Sequence, residues 1–284
     1  MFVTLASCEA ASTLRMTVVG GAASNRTMNF ANDLQMAYGN ARGDTTNAAL
    51  ATLNLNNDGT NTYGSILNIG GNLWAGYTNS NWDQQNSAAS INIGSKSQLN
   101  LGGSIYLNGS GPWNGSGWDP ALYNLNLAAT PTDGAVSFKG GLFITSNDNY
   151  GNASLTVGSG SAAAISASQF NMATSYSSQG TFTMGGARTL TVAAADNYMA
   201  TGNSDIGQSR YNMATINLSD SAKLNFNGNL TMGVERNSDP SWVNVNLANT
   251  SQLNVGNILY FNGTFNLGAT AQVNATDLSL RGGN

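Results

Sequence analysis

Residues Val245–Phe261, VNLANTSQLNVGNILYF, decide the fold. They contain three short runs: Val245-Asn246-Leu247, Leu253-Asn254-Val255 and Leu259-Tyr260-Phe261. In each run the flanking apolar residues point to one side of an extended chain and the middle residue to the other. That alternation has period two and cannot line one face of a helix. The residues between the runs are Ala, Asn, Thr, Ser, Gln and Gly apart from Ile258, with the turn formers prominent among them. Two other stretches match this one position by position. They are Ile91-Asn92-Ile93, Leu99-Asn100-Leu101, Ile105-Tyr106-Leu107, and Ile216-Asn217-Leu218, Leu224-Asn225-Phe226, Leu230-Thr231-Met232.

With this frame set, weaker copies emerge on both sides. Their first strands are Met16-Thr17-Val18, Leu53-Asn54-Leu55, Leu125-Asn126-Leu127, Leu155-Thr156-Val157, Phe182-Thr183-Met184 and Phe265-Asn266-Leu267. The total is nine units, with start-to-start spacings of 37, 38, 34, 30, 27, 34, 29 and 20 residues. The shortest spacing is the bare unit; the excess is loop. Most of it falls between the third strand and the next first strand, where the connection grows to the length of 108–124. Stacked repeats tolerate insertion at one edge because such a loop leaves neighbouring units undisturbed.

Composition supports stacking. Of 284 residues only 8% are charged, Glu occurs twice and Lys three times, while there are 34 Gly and 41 Asn. Helix formers are scarce, and Gly pairs interrupt most helical readings. A single unit cannot bury enough apolar surface to offset the ordering of its chain, so stability requires an array. The expected fold is all-β: a right-handed parallel β-helix, or β-solenoid, of about nine coils with loops inserted along one edge. The hand follows from the rule for parallel crossovers. At a strand spacing of about 4.8 Å, nine coils make a rod roughly 40 Å long. Residues 1–284 form one domain, in which 1–15 is an incomplete first coil. Gly pairs are expected at corners because they supply positive φ. The outward residues of the first strands (Thr17, Asn54, Asn92, Asn126, Thr156, Thr183, Asn217, Asn246, Asn266) should form a polar ladder. Asn29, Asn68, Asn100, Ser137, Thr191, Asn225 and Asn254 should form a second one. Such ladders solubilise strands without charge; a flat Thr/Asn array could alternatively order water, ice or a mineral surface.

Several function classes are excluded or weakened. Net charge is −4 with no basic run, so the footprint of a nucleic-acid binder is missing. The absence of His removes the commonest general base, and a single Cys rules out thiolate zinc sites and an intrachain disulfide framework. No apolar run approaches the roughly 18 residues of a membrane helix, and no metal or cofactor is expected. Lys96, Lys139, Arg188, Lys223 and Arg236 are scattered and read as solvated. The strand faces carry Asn and Thr rather than clustered acids, so the chain reads as a non-enzyme. The alternative is a polysaccharide lyase or glycosidase on a β-helix, which needs paired carboxylates.

Leu155–Ser161 and Ser251–Ile258 resemble the Gly/Asn-rich β-strand repeats of bacterial autotransporter passenger regions and related exported proteins with a C-terminal sorting anchor. The resemblance extends from about Met16 to Leu280. It implies export to the cell surface or medium, outer-membrane association and a role as stalk or adhesin. Partners would be extracellular glycans or other surface proteins, with flanking solenoid coils or an export or anchor domain. No outer-membrane barrel or anchor segment follows in this sequence. Phe2–Leu5 reads as a third strand whose earlier part is missing, and Leu278-Ser279-Leu280 as an uncapped third strand. The chain is therefore expected to be a piece of a longer polypeptide, or one extended by partners.

Two features are candidate sites. Leu5-Ala6-Ser7-Cys8 matches a lipoprotein cleavage box in which Cys8 would be acylated, although the segment before it is too short for a signal sequence. The edge loops carry Trp82-Asp83, Trp118-Asp119 and Asp239-Pro240-Ser241-Trp242, with Trp113 and Tyr150 in loops of the same class. An exposed indole stacks on a sugar face while a neighbouring carboxylate accepts hydroxyl hydrogen bonds. Trp82, Asp83, Trp118, Asp119, Asp239 and Trp242 thus make a candidate glycan-binding edge. The competing reading folds these rings down to pack the loops against the rod.

Overall fold

The computed structural model describes residues 3–8, 12–19, 21, 23–39, 49–56, 63–75, 88–93, 96–107, 121–129, 135–138, 140–144, 151–160, 164–174, 178–201, 212–233 and 241–280. Among them every regular element is a β-strand. The strands form sheets of 13, nine and four, and neighbouring strands are parallel.

The nine-stranded sheet takes one strand from each unit in chain order, and each expected first strand lies within it. Met16 pairs with Leu53 and Leu53 with Ile91. Further along, Leu125, Leu155, Phe182, Ile216, Val245 and Phe265 form one register column. The sequence frame fails at one junction: Ile91 pairs with Leu127, and Leu125 with Ala89. A slip of two residues preserves which side chains face which way, whereas a slip of one would turn every apolar residue outward. The hydrophobic pattern therefore cannot distinguish these two registers.

The second strands of the first four units, Arg26–Phe30, Ser65–Ile69, Gln98–Leu101 and Ala135–Phe138, make the four-stranded sheet. The third strands run through the 13-stranded sheet, starting from Val3–Cys8 against Leu34–Gly39. In the eighth unit the second and third strands merge as Gln252–Phe261, which pairs with both Lys223–Phe226 and Leu230–Met232. This merger draws the second strands of units five to seven into the same sheet.

Inward residues from all three strand positions form one core. Met213–Leu218 alternates between half-buried and buried residues, as period two requires. Phe170, from a third strand, meets Phe182 of a first strand edge-on at 5.1 Å and stacks with Phe226 of a second strand at 6.1 Å. Three sheet positions thus touch through one side chain.

The second-strand ladder forms as expected. The first-strand ladder is interrupted at the slipped junction, where Asn92 pairs with Ala128 and Asn126 with Ser90. The hydrogen bonds of both share one direction. Asn217 donates to the Thr183 hydroxyl (3.3 Å), Asn246 to Asn217 (2.7 Å) and Asn266 to Asn246 (2.7 Å). In the second ladder Asn68 donates to Asn29, Asn100 to Asn68, Asn254 to Asn225 and Asn274 to Asn254, at 2.7–2.9 Å. Each amide donates to the unit before it. Asn246→Ala removes two such bonds and is expected to cost about 1–2 kcal/mol. Urea titration checks the loss, and a double-mutant cycle with Asn217→Ala should show coupling between the two sites.

Two expectations need correction. Gly70, Gly71, Gly102 and Gly103 do not supply positive φ; a Cβ at any of them would lie closer than 3.0 Å to the backbone or turn residue of the preceding unit. Close approach of stacked corners, not turn handedness, selects glycine there. Positive φ occurs instead at Lys96, Gly186, Asp220 and Asn249, between first and second strands, and at Ala173, Ala200 and Gly233, just after third strands. Arg188 is not solvated: it is 1% exposed, in the corner position that Ser97, Ala222 and Ser251 occupy elsewhere.

Candidate ligand-binding edge

The three Trp-Asp loops share their points of departure. Residues 76–87 run from the third strand Leu73–Ala75 to the next first strand, Ala88–Ile93. Residues 108–120 connect Ile105–Leu107 to Ala121–Ala129, and 233–241 connect Asn229–Met232 to Trp242–Leu247. All three leave the third-strand position and return at the first-strand position, which is one edge of the stack. The first two belong to consecutive units. The last is four units further on, about 19 Å at a 4.8 Å strand spacing.

Trp242 opens its strand and is anchored there. Its backbone N–H donates to the Asn212 carbonyl at 2.8 Å, and it pairs in register with Met213. Its side chain faces outward and is 57% exposed. An indole this open, on a residue held by a backbone ladder, can offer a face to a ligand. Trp82, Asp83, Trp118, Asp119 and Asp239 lie outside the described residues, as do Trp113 and Tyr150. Cys8 ends the strand Val3–Cys8 and pairs with Gly39.

Sequence reading missed an aromatic column on the third strands. Trp74, Tyr106 and Phe143 are the middle residues of three successive third strands. Their rings stack at 4.1 and 4.9 Å with interplanar angles of 10° and 9°. The Trp74 indole N–H also donates to Asp33 at 2.9 Å, and Asp33 accepts the Asn72 backbone N–H at 2.7 Å. These rings turn their faces on one another, which makes them a stabilising stack rather than a platform for sugar. The signal was available: the residue between the two apolar positions is aromatic in all three units.

Three of the described carboxylates, Asp33, Asp196 and Asp220, brace corners. Asp220 accepts the Gly186 backbone N–H at 2.9 Å and the Asn249 amide at 3.4 Å, while Asp196 accepts the Asn229 amide at 2.8 Å. Burial pushes the Arg188 guanidinium below its ordinary range, the direction expected when a cation loses water. Among the described residues no group of three His, Cys, Asp or Glu side chains could hold a metal ion. Nor is any helix among them long and apolar enough to cross a membrane. No protein-family model, curated protein or solved structure matches the chain.

Proposed function

We propose that the chain is a right-handed parallel β-solenoid of about nine coils, exported to the bacterial surface as a structural and adhesive module. On this reading it captures extracellular glycans through its insertion edge. The strand order supports the winding: each sheet position is revisited once per unit, through a core common to all three. The resemblance to autotransporter passenger repeats motivates export. Length, low charge and unidirectional amide ladders suit a stalk that must stay soluble without attracting polyelectrolytes.

The observation that carries glycan capture is the exposed Trp242 on the edge from which the other two Trp-Asp loops also depart. An aromatic face with a nearby carboxylate matches a pyranose, which has an apolar C–H face and a rim of hydroxyls. The test is a glycan array with the full chain and the Trp82→Ala/Trp118→Ala/Trp242→Ala variant. Capture through the edge should weaken about tenfold or more, as removing aromatic anchors does at other interfaces. Equal capture by both proteins removes the edge from the reading.

A further inference from the structure

We propose a second glycan site, distinct from the loop edge: an axial groove beside the first-strand ladder that takes a linear, neutral, hydroxyl-rich polysaccharide lying parallel to the stacking direction. This rests on the glycan reading above and assigns it a second surface. The groove lies where first strands turn toward second strands, at the opposite end of those strands from Trp242. Its volume is about 860 Å³, within the range of sites that hold extended small ligands.

One wall is the ladder Thr183, Asn217, Asn246 and Asn266. Its amides are already fixed in place, because each donates to the side-chain oxygen one unit before it. An Asn amide has two N–H donors, and its oxygen two lone pairs. The ladder occupies one of each at Asn217 and Asn246, so the remaining donor and acceptor capacity repeats along the groove at the unit spacing. Rotamer ordering is complete before a ligand arrives, which lowers the cost of binding. A lone small molecule uses one such step; a linear chain uses several.

The opposite wall consists of the corners. Ser219, Asn249 and Thr270 lie along it, and the corner is braced by the Thr270 hydroxyl donating to the Asn249 carbonyl at 2.6 Å. Asp220 and Asn249 hold left-handed φ of 58° and 55°, which turns the backbone sharply at the same place in successive units. Phe265 and Leu267, on either side of Asn266, continue the inward columns of Val245 and Leu247 and face the core, so the groove's own side chains are those of the ladder and the corners. Two polar rails, with donors and acceptors repeating at the unit spacing, suit a linear chain that carries hydroxyls along its length. No cationic side chain lines the groove among the described residues, and the exposed Asp220 carboxylate stands at its corner against Ser219 and Asn249, so the groove offers no partner for the carboxylates of a uronic acid polymer. The second-strand ladder flanks a smaller groove of about 570 Å³, lined by no large exposed apolar side chain.

The experiment runs in the Trp82→Ala/Trp118→Ala/Trp242→Ala background, which silences the loop edge. Calorimetric titration uses cellohexaose and N-acetylchitohexaose as neutral probes and polygalacturonate as the acidic one. The expected result is binding of at least one neutral hexasaccharide, none of polygalacturonate, and a loss of about tenfold or more on adding Ala248→Trp. Ala248 and Ala269 line the groove outside the ladder and are exposed, so an indole there fills the space without disturbing the core. Ala269→Trp is the second block, and unchanged melting confirms that either variant is folded. Undiminished binding in both blocked variants overturns the groove. If the wild-type chain captures glycans while the background binds neither neutral probe, the groove falls and the loop edge stands. A wild-type chain that captures no glycan overturns both.

Discussion

Phe182→Asp is expected to split unfolding into two transitions, and Phe182→Ala to lower the unfolding free energy by about 3–5 kcal/mol. Phe182 is fully buried and pairs in register with Leu155 before it and Ile216 after it. Its ring meets Phe170 edge-on, and Phe170 in turn stacks on Phe226. Truncation to Ala removes the ring from a site where three sheet positions converge, and the surrounding strands, tied by ladders on both sides, cannot collapse to fill it. Asp puts a carboxylate in place of a ring at the apolar centre of the core, where it loses its water. In a stacked array each unit contacts chiefly its neighbours, so a lesion in the sixth unit uncouples units one to five from units seven to nine. Urea titration followed by tryptophan fluorescence reads mainly the first block, because Trp74, Trp82, Trp113 and Trp118 lie there and Trp242 in the other. Circular dichroism reads both. Divergence of the two probes in Phe182→Asp, and a loss in Phe182→Ala of the size given, are the expected results. A loss below about 1 kcal/mol in Phe182→Ala would show that the three sheets do not share their core at this point.

Legibility followed the physical source of each feature. First strands were readable because Ile216-Asn217-Leu218 and its copies expose one residue and bury its two neighbours, and burial is what sequence periodicity records. The ladders were readable for the same reason: once the frame was set, Asn217, Asn246 and Asn266 fell at one position. The slip at Ile91 and Leu127 was not readable, since registers two residues apart present the same pattern. Nor was the reason for Gly102, which depends on the Gly70 carbonyl of the preceding unit and on no local turn preference. At the candidate edge, sequence identified the loops and their common side of the unit. It left Trp242 with two orientations, and the structure turns that ring outward. Arg188 was misread because a lone Arg between Ala187 and Thr189 looks like a surface residue; only the stacking of corner positions places it inside. The groove was missed because a concave corner is a relation between turns of successive units, and its residues, Ser219, Ala248 and Thr270, are ordinary turn formers one at a time.

Asn197 is the site where a side chain replaces a missing part of the backbone ladder, and its removal should be felt in proportion. It occupies an inward position of a third strand and is fully buried. The corresponding residues elsewhere are Leu34, Leu73, Ile105, Leu142, Phe170, Leu230 and Leu259. Between the third strands of units five and six the register reduces to one pair, Met172 with Met199. Asn197 spans the gap: its carbonyl oxygen accepts the Phe170 backbone N–H at 3.0 Å, and its amide donates to the Ala194 and Asn229 carbonyls at 3.4 Å each. Asn171 does the same from the other strand, accepting the Tyr198 backbone N–H at 3.1 Å. Asn197→Ala deprives a buried N–H of this acceptor, which costs about 1–3 kcal/mol, and loses two longer bonds as well. The expected total is about 2–4 kcal/mol. Asn197→Leu restores the side chain typical of the column and fills the space, so it isolates the hydrogen bonds from the packing. It should still cost about 1–3 kcal/mol, because an apolar side chain cannot accept from Phe170. Amide exchange sharpens the test: protection at Phe170 should fall in both variants while protection at Ile216, in the neighbouring first-strand sheet, holds. A Leu variant as stable as wild type, with Phe170 still protected, would mean that the two strands can close their own ladder. The column would then tolerate a hydrocarbon at every unit, and the amide at this one would have no structural purpose.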